Sequence, residues 1–224
     1  DASPNGSVGA RGIVVSAASS AELFFAIGDG ASNDFSNFSP SIGEEAINAT
    51  VLSTSTASAL LSGRIINNTF LNSGGAVGVD VRGNGALVLE IDGNSGTTSR
   101  QSIDVIVGDA VTDAATADVT ITDNALTVTG TAANPNNEAI GWLGDRNTTS
   151  CLNIRGNSAV ASGTRDDIIL DDFTNPAGAV NLESGPSDCG GACPTSGAHL
   201  LANNGITDAL SGATIVAPGS CVTP

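Results

Sequence analysis

The chain has 224 residues, with 23 acidic side chains against 7 basic ones and a formal net charge of -16. All the cations are Arg; there is no Lys, Tyr or Met, and a single Trp and a single His. Nucleic acids, anionic membranes and polyanionic polysaccharides all call for a basic surface, so this balance argues against them and suits cation binding, saline surroundings or plain solubility. No run approaches the ~20 apolar residues of a membrane-spanning helix, and the ample, periodic β-branched and Leu content excludes a disordered chain.

In chain order the hydrophobic pattern predicts strands at 12–16, 22–27, 46–52, 59–66, 77–81, 86–91, 102–107, 117–122, 139–143, 150–155 and 167–171. They alternate between two families. Val77, Val79 and Val81, then Ile103, Val105 and Val107, then Ile140 and Trp142 repeat every second residue, which turns one face inward and makes Trp142 core filler. Turn-forming Gly, Asn, Asp, Ser and Thr fill the gaps. No segment carries a helical stripe, and 203–210 is the one place for a turn of helix. The connections are too short for crossover helices, so strands of one family stack in parallel, one per coil.

A recurring strand-end motif supports stacking: an apolar strand, one or two small or polar residues, then Asn. It ends at Asn68, Asn94, Asn124 and Asn157, which lie 26, 30 and 33 residues apart. A loose repeat of this length is the mark of a solenoid. The expected fold is therefore all-β, a right-handed parallel β-helix of about five or six coils, with coils over 1–188 and a C-terminal capping segment over 189–224. The four Asn read as structural corner residues, because Asn tolerates left-handed backbone and stacked amides can form a hydrogen-bond ladder.

Cys151, Cys189, Cys193 and Cys221 all fall in the last third of the chain. An even count suggests disulfides in an oxidising compartment. The short Gly-rich spacing of Cys189 and Cys193 suits a local bridge, which would leave Cys151 to pair with Cys221 and fasten the tail. A zinc site of four thiolates is the alternative, although paired CxxC knuckles are absent.

The arrangement resembles the right-handed β-helix, pectin-lyase-like superfamily. More narrowly, Cys151-Leu-Asn-Ile-Arg-Gly-Asn157, Asp166-Asp-Ile-Ile-Leu170, Leu200-Leu-Ala-Asn-Asn204 and Gly219-Ser-Cys221 resemble the C-terminal region of bacterial secreted and cell-surface β-strand-repeat proteins. The resemblance implies an extracellular stalk, adhesin or assembly module, fastened by a Cys that opens the last coil and a Cys at the extreme C-terminus. β-Helix enzymes that cleave acidic polysaccharides are similar in fold. They imply a calcium site of carboxylates with a basic residue beside it. Asp167 and Asp171 are the candidate calcium ligands here, near Arg165, with Asp80, Asp92 and Asp104 as further options. No catalytic residue is assigned. His199 with Ser196 lacks a nucleophile elbow and reads as an exposed or capping residue.

No amphipathic capping helix precedes the first strand. The N-terminal end of the solenoid is therefore expected to meet other subunits or domains, with a cell-surface glycan as a further candidate partner and neither nucleic acid nor a membrane span. The leading expectation is a non-enzymatic extracellular structural or adhesive module; the alternative is a carbohydrate-active lyase or hydrolase.

Overall fold

A computed structural model describes residues 12–36, 45–54, 57–108, 112–130, 138–144, 147–162, 166–172, 179–185, 189 and 193–224, without the side chains of Asp171, Asp172 and Leu210. Three parallel sheets run along a common core. The first holds β1 (Ile13–Ala18), β4 (Glu45–Leu52), β7 (Gly75–Arg82), β10 (Ile103–Val107), β13 (Ile140–Gly144), β16 (Ile168–Asp172) and β18 (Ala209–Ser211). The second holds β2 (Glu22–Ile27), β5 (Leu60–Ile66), β8 (Ala86–Asp92), β11 (Thr116–Thr122), β14 (Thr149–Arg155), β17 (Ala179–Glu183) and β19 (Thr214–Val216). The third, with one strand in each of five turns, holds β3 (Asp34–Ser36), β6 (Thr69–Ser73), β9 (Ser95–Thr98), β12 (Ala125–Val128) and β15 (Ser158–Val160). The chain is an all-β parallel solenoid of about five full turns, and among the described residues it has one helix, α1 (Ser196–Asn203), near its end.

Columns of aliphatic side chains hold the coils in register. Ile47, Val77, Ile103, Ile140 and Ile168 stack at one level of the first sheet, each at most 1% exposed. Ile65, Ile91, Ile121 and Ile154 do the same in the second sheet. Each buried aliphatic is worth roughly 1.5–3 kcal/mol relative to exposure, and a one-residue slip would turn the whole column outward. Trp142 is buried in the core, its ring filling space that a Cβ on Gly144 would need.

The two predicted strand families are the first and second sheets. The third sheet departs from that reading. Its strands are three to five residues long and carry little inward apolar surface. Phe35 stacks on Phe70 with ring centroids 5.3 Å apart. The next residue in that column is Gly96, at φ +139°, where a Cβ would stand 1.8 Å from the Phe70 carbonyl oxygen. The helix also differs: it ends at Asn203 rather than beginning there. Thr195 caps it by accepting from the Ala198 amide.

The two ends are unlike. β1, β2 and β3 are the outer edges of their sheets. Their inward residues Ile13, Val15, Leu23 and Phe25 are only partly buried, whereas Ile47, Ala49 and Leu61, paired with the first three in the next coil, are 0% exposed. At the other end α1 takes the place that a third-sheet strand holds in earlier coils: Gly156 donates to Asn203 O and Gly205 to Asn157 O.

Candidate functional site

The Asn corner residues form one continuous ladder. Nδ2 of Asn68 donates to Oδ1 of Asn94 at 3.0 Å, Asn94 to Asn124 at 3.0 Å and Asn124 to Asn157 at 2.9 Å. The same oxygens accept the backbone N–H of Asn68, Asn94 and Asn124, and each of these amides also donates to main-chain carbonyls of its own or the previous coil. Two rungs lie outside the sequence motif: Asn33 donates to Asn68, and Asn157 to Asn204 at the C-cap of α1. The ladder Asn do not themselves turn the corner in left-handed backbone. The residue before each does so: Asn67, Gly93, Asp123 and Gly156 have φ of 57°, 63°, 54° and 69°. The oxygens of Asn94, Asn124 and Asn157 each accept two hydrogen bonds and their nitrogens donate at least two, so the column is a structural device with its valence used internally.

The cap is covalently fastened. Cys151 pairs with Cys221, and Cys189 with Cys193. With every described Cys oxidised, the thiolates that a zinc site needs are spent. The tail then lies across the outer face of the second sheet. Cys221 N donates to Glu183 Oε2 at 2.9 Å and Val222 N to Asp118 at 3.4 Å. Burial raises the Asp118 pKa, and that tail amide pulls it part of the way back.

Of the two calcium candidates, Asp167 is buried and braces the cap. Its Oδ1 accepts from Ala161 N at 2.6 Å, and its Oδ2 from Thr207 N and Oγ1 at 2.7 and 2.9 Å. The Asp171 side chain and Arg165 lie outside the described residues. Asp80 pairs with Arg82 at 2.8 Å, and Asp92 accepts from Thr122 Oγ1 at 2.5 Å. His199 is buried inside α1 rather than exposed, against Asn203, and Ser196 donates to Ser211 O.

Asp104 stands apart from these. It projects outward from β10, in register with Gly78 on one side and Gly141 on the other. A repeated irregularity brings more polar groups to it. Ala76 and Val77 both donate to Ser102 O, Ser102 and Ile103 both to Ala139 O, and Ala139 and Ile140 both to Asp167 O. Two successive amides on one carbonyl make a bulge, and a bulge re-aims the side chain before it. The residue two before the inward Ile therefore points out over the sheet at Gln101, before Ile103, and Glu138, before Ile140; Glu45, two before Ile47, lies on the same face. Glu45 then lies over Gly78, where a Cβ would be 2.9 Å from Oε2. Gln101 and Glu138 share the space over Gly141, where a Cβ would be 1.8 Å from Nε2 and 3.2 Å from Oε1. Gln101 and Glu138 are each 8% exposed.

Asp104 Oδ1, Glu138 Oε2 and Gln101 Nε2 are buried without a hydrogen-bond partner. The Asp104 pKa is pushed up to about 7, first by burial and then by the charges of Glu45, Glu138 and Asp80, with Arg100 opposing. No protein-family model, curated protein or solved structure matches the chain. The fold and these two columns, one satisfied and one not, are what the function must be read from. Asp80 and Asp104 were visible among the sequence candidates; Glu45, Gln101 and Glu138 were not. Aligning the coils on Ile47, Ile103 and Ile140 was the signal that would have found them.

Proposed function

We propose that this chain is a non-enzymatic, extracellular structural or adhesive β-solenoid module, joined through its first coil to a further β-solenoid segment of a larger surface assembly. The observation that carries this reading is the contrast between coils. Ile13, Val15, Leu23 and Phe25 occupy core positions but are only partly buried, while outward Phe24 and Val14 are 69% and 55% exposed. Among the described residues no strand pairs with the outer edges of β1, β2 and β3. An unpaired parallel edge beside an apolar surface is a template for strand addition. The other end carries the disulfide-fastened helix and tail, and both bridges suit an oxidising compartment.

Mass photometry of the intact natural protein tests the reading. It should appear as an assembly, and Phe24→Glu with Val14→Glu should release its subunits without changing the circular dichroism of the fold. A stable, soluble monomer overturns it. The competing reading, a carbohydrate-active enzyme, draws on the carboxyl cluster. Asp104 Oδ1 and Glu138 Oε2 are, however, shielded from solvent rather than set in an open cleft. Turnover of any polysaccharide that Asp104→Asn abolishes would establish it instead.

A further inference from the structure

We infer that the first coil docks the uncapped C-terminal end of a β-solenoid in a second, different polypeptide, and that Asn33 is the socket, its Oδ1 receiving the corner N–H and the Nδ2 of an Asn in the partner's last coil. The inference rests on the assembly reading above and gives that assembly a partner of stated chemistry.

The Asn ladder has a direction. From one coil to the next, the corner N–H and Nδ2 of one Asn both donate to Oδ1 of the following Asn, as from Asn68 to Asn94 and from Asn124 to Asn157. The following Asn gives one Nδ2 hydrogen back to an Ile carbonyl of the coil before it: Asn94 to Ile65 O, Asn157 to Ile121 O. Each coil thus turns its corner N–H toward the C-terminal end and its Oδ1 toward the N-terminal end. Asn33 is the first rung. It donates to Asn68 at 2.9 Å, but among the described residues nothing donates to its Oδ1 and no carbonyl takes its second Nδ2 hydrogen. It is exposed, and it opens on a groove of about 540 Å³ walled by Ile13, Phe35 and Leu71. The three bonds that an interior rung makes with the coil before it are the three that Asn33 lacks. A parallel coil with Asn at its corner supplies all of them, and continues the three sheets at the outer edges of β1, β2 and β3.

A second copy of this chain does not fit. Turned end to end it would present strands of the opposite direction and another Oδ1, with its corner N–H pointing away. Stacked head to tail it would present α1 and Asn204, whose two Nδ2 hydrogens are already spent on Ile154 O and Leu200 O. Charge agrees. Glu22 and Asp34 are exposed on the edge strands, and neither forms an ion pair among the described residues, so two first coils would set acidic rims together. Within the solenoid an outward carboxylate meets an Arg one strand away: Arg64 is in register with Glu90, Nε to Oε2 at 2.6 Å. The partner's last coil therefore carries Arg or Lys opposite Glu22 or Asp34.

The test is native mass spectrometry of the assembly from its natural source, with hydrogen exchange read on this chain within it. The assembly should contain a second polypeptide. The amides of β1, β2 and β3 should exchange at least about tenfold more slowly there than in the separated chain, while those of β18 and β19 stay the same. Asn33→Ala should weaken re-association of the separated subunits by roughly tenfold or more, with the circular dichroism of the fold unchanged. Glu22→Gln with Asp34→Asn should weaken it several-fold, and more at ~0.1 M than at ~1 M NaCl. Leu201→Ser, exposed on α1 at the opposite end, should not weaken it. Oligomers made of this chain alone overturn the inference and leave the assembly reading standing; a stable monomer overturns both. A second polypeptide that leaves exchange in the first coil unslowed, or whose association Asn33→Ala leaves intact, also overturns the inference. If Asn33→Ala fails to fold, Glu22→Gln with Asp34→Asn takes its place beside the exchange pattern.

Discussion

Nδ2 of Asn157 donates to Oδ1 of Asn204 at 2.9 Å across 47 residues of sequence, and the same oxygen accepts the Asn157 backbone N–H at 3.0 Å. Asn204 also donates to Ile154 O and Leu200 O. The rung that joins coil to coil thus joins the last full coil to the cap helix. Asn204→Ala should leave the Asn157 backbone N–H buried without an acceptor, while its Nδ2 keeps Ile121 O and Arg155 O, and cost about 1–3 kcal/mol. Hydrogen exchange should show loss of protection at Asn157 first. If protection there is unchanged, the cap is held by its disulfide and not by the ladder.

Within the ladder, Asn124→Ala should be worse, since it orphans the Asn94 N–H above and the Ile91 and Thr122 carbonyls around it. A loss of about 3 kcal/mol or more is expected from urea unfolding. Asn124→Asp should not rescue it. The carboxylate keeps the acceptor but has no hydrogen for Asn157 Oδ1 and buries a charge beside it.

Cys151→Ser with Cys221→Ser opens a link between residues 70 apart. Loop-closure entropy for a span of that length puts the cost at roughly 4 kcal/mol. The tail should also leave the second sheet, freeing Asp118 and Glu183, and limited proteolysis should cut after 216 in the double variant but not in the native protein. Opening Cys189–Cys193, which spans 4 residues, should cost much less.

Asp104 makes stability depend on pH. Its folded pKa of about 7 lies above the ordinary 3.8, so the folded state holds a proton that the unfolded state releases. The contribution is fully present below about pH 4 and is lost as pH rises through about 7, on the order of a few kcal/mol in all. Asp104→Asn should flatten that part of the Tm–pH curve. An unchanged slope between those pH values would show that the proton resides elsewhere.

Gly96→Ala tests why the third sheet carries a glycine in its inward column. At φ +139°, with the Phe70 carbonyl oxygen 1.8 Å from the added Cβ, neither backbone can yield without breaking β6–β9 pairing. Thermal denaturation should show a loss of about 3 kcal/mol or more; a wild-type Tm would mean that the coil relaxes freely there.

Local pattern carried the first two sheets. Their strands are five to eight residues long over most coils and alternate cleanly, as in Val77, Val79 and Val81 or Ile103, Val105 and Val107, so period and burial agree. The third sheet was illegible because a three-residue strand such as Ser158–Val160 has one inward side chain, and Ser-Gly-Thr-Thr at 95–98 reads as a turn. Helix α1 was misplaced, its expected span of 203–210 sharing only Asn203 with it, for a similar reason: an eight-residue element has too few turns to show a stripe.

By itself the sequence determined the solenoid, the four central ladder Asn and the location of the cap, because coil stacking repeats the same local demand at the same place in every turn. Tertiary structure alone decided the ladder's end rungs, Asn33 and Asn204, the choice of disulfides over a thiolate metal site, and the carboxyl cluster. Glu45, Gln101, Asp104 and Glu138 have no common spacing. They share the outer face of one sheet because parallel stacking sets neighbouring coils one strand apart, and because a bulge two residues downstream of Gln101 and Glu138 reverses which face those side chains take. Alternation read along one strand predicts the opposite face, and only the hydrogen bonds between coils reveal the reversal.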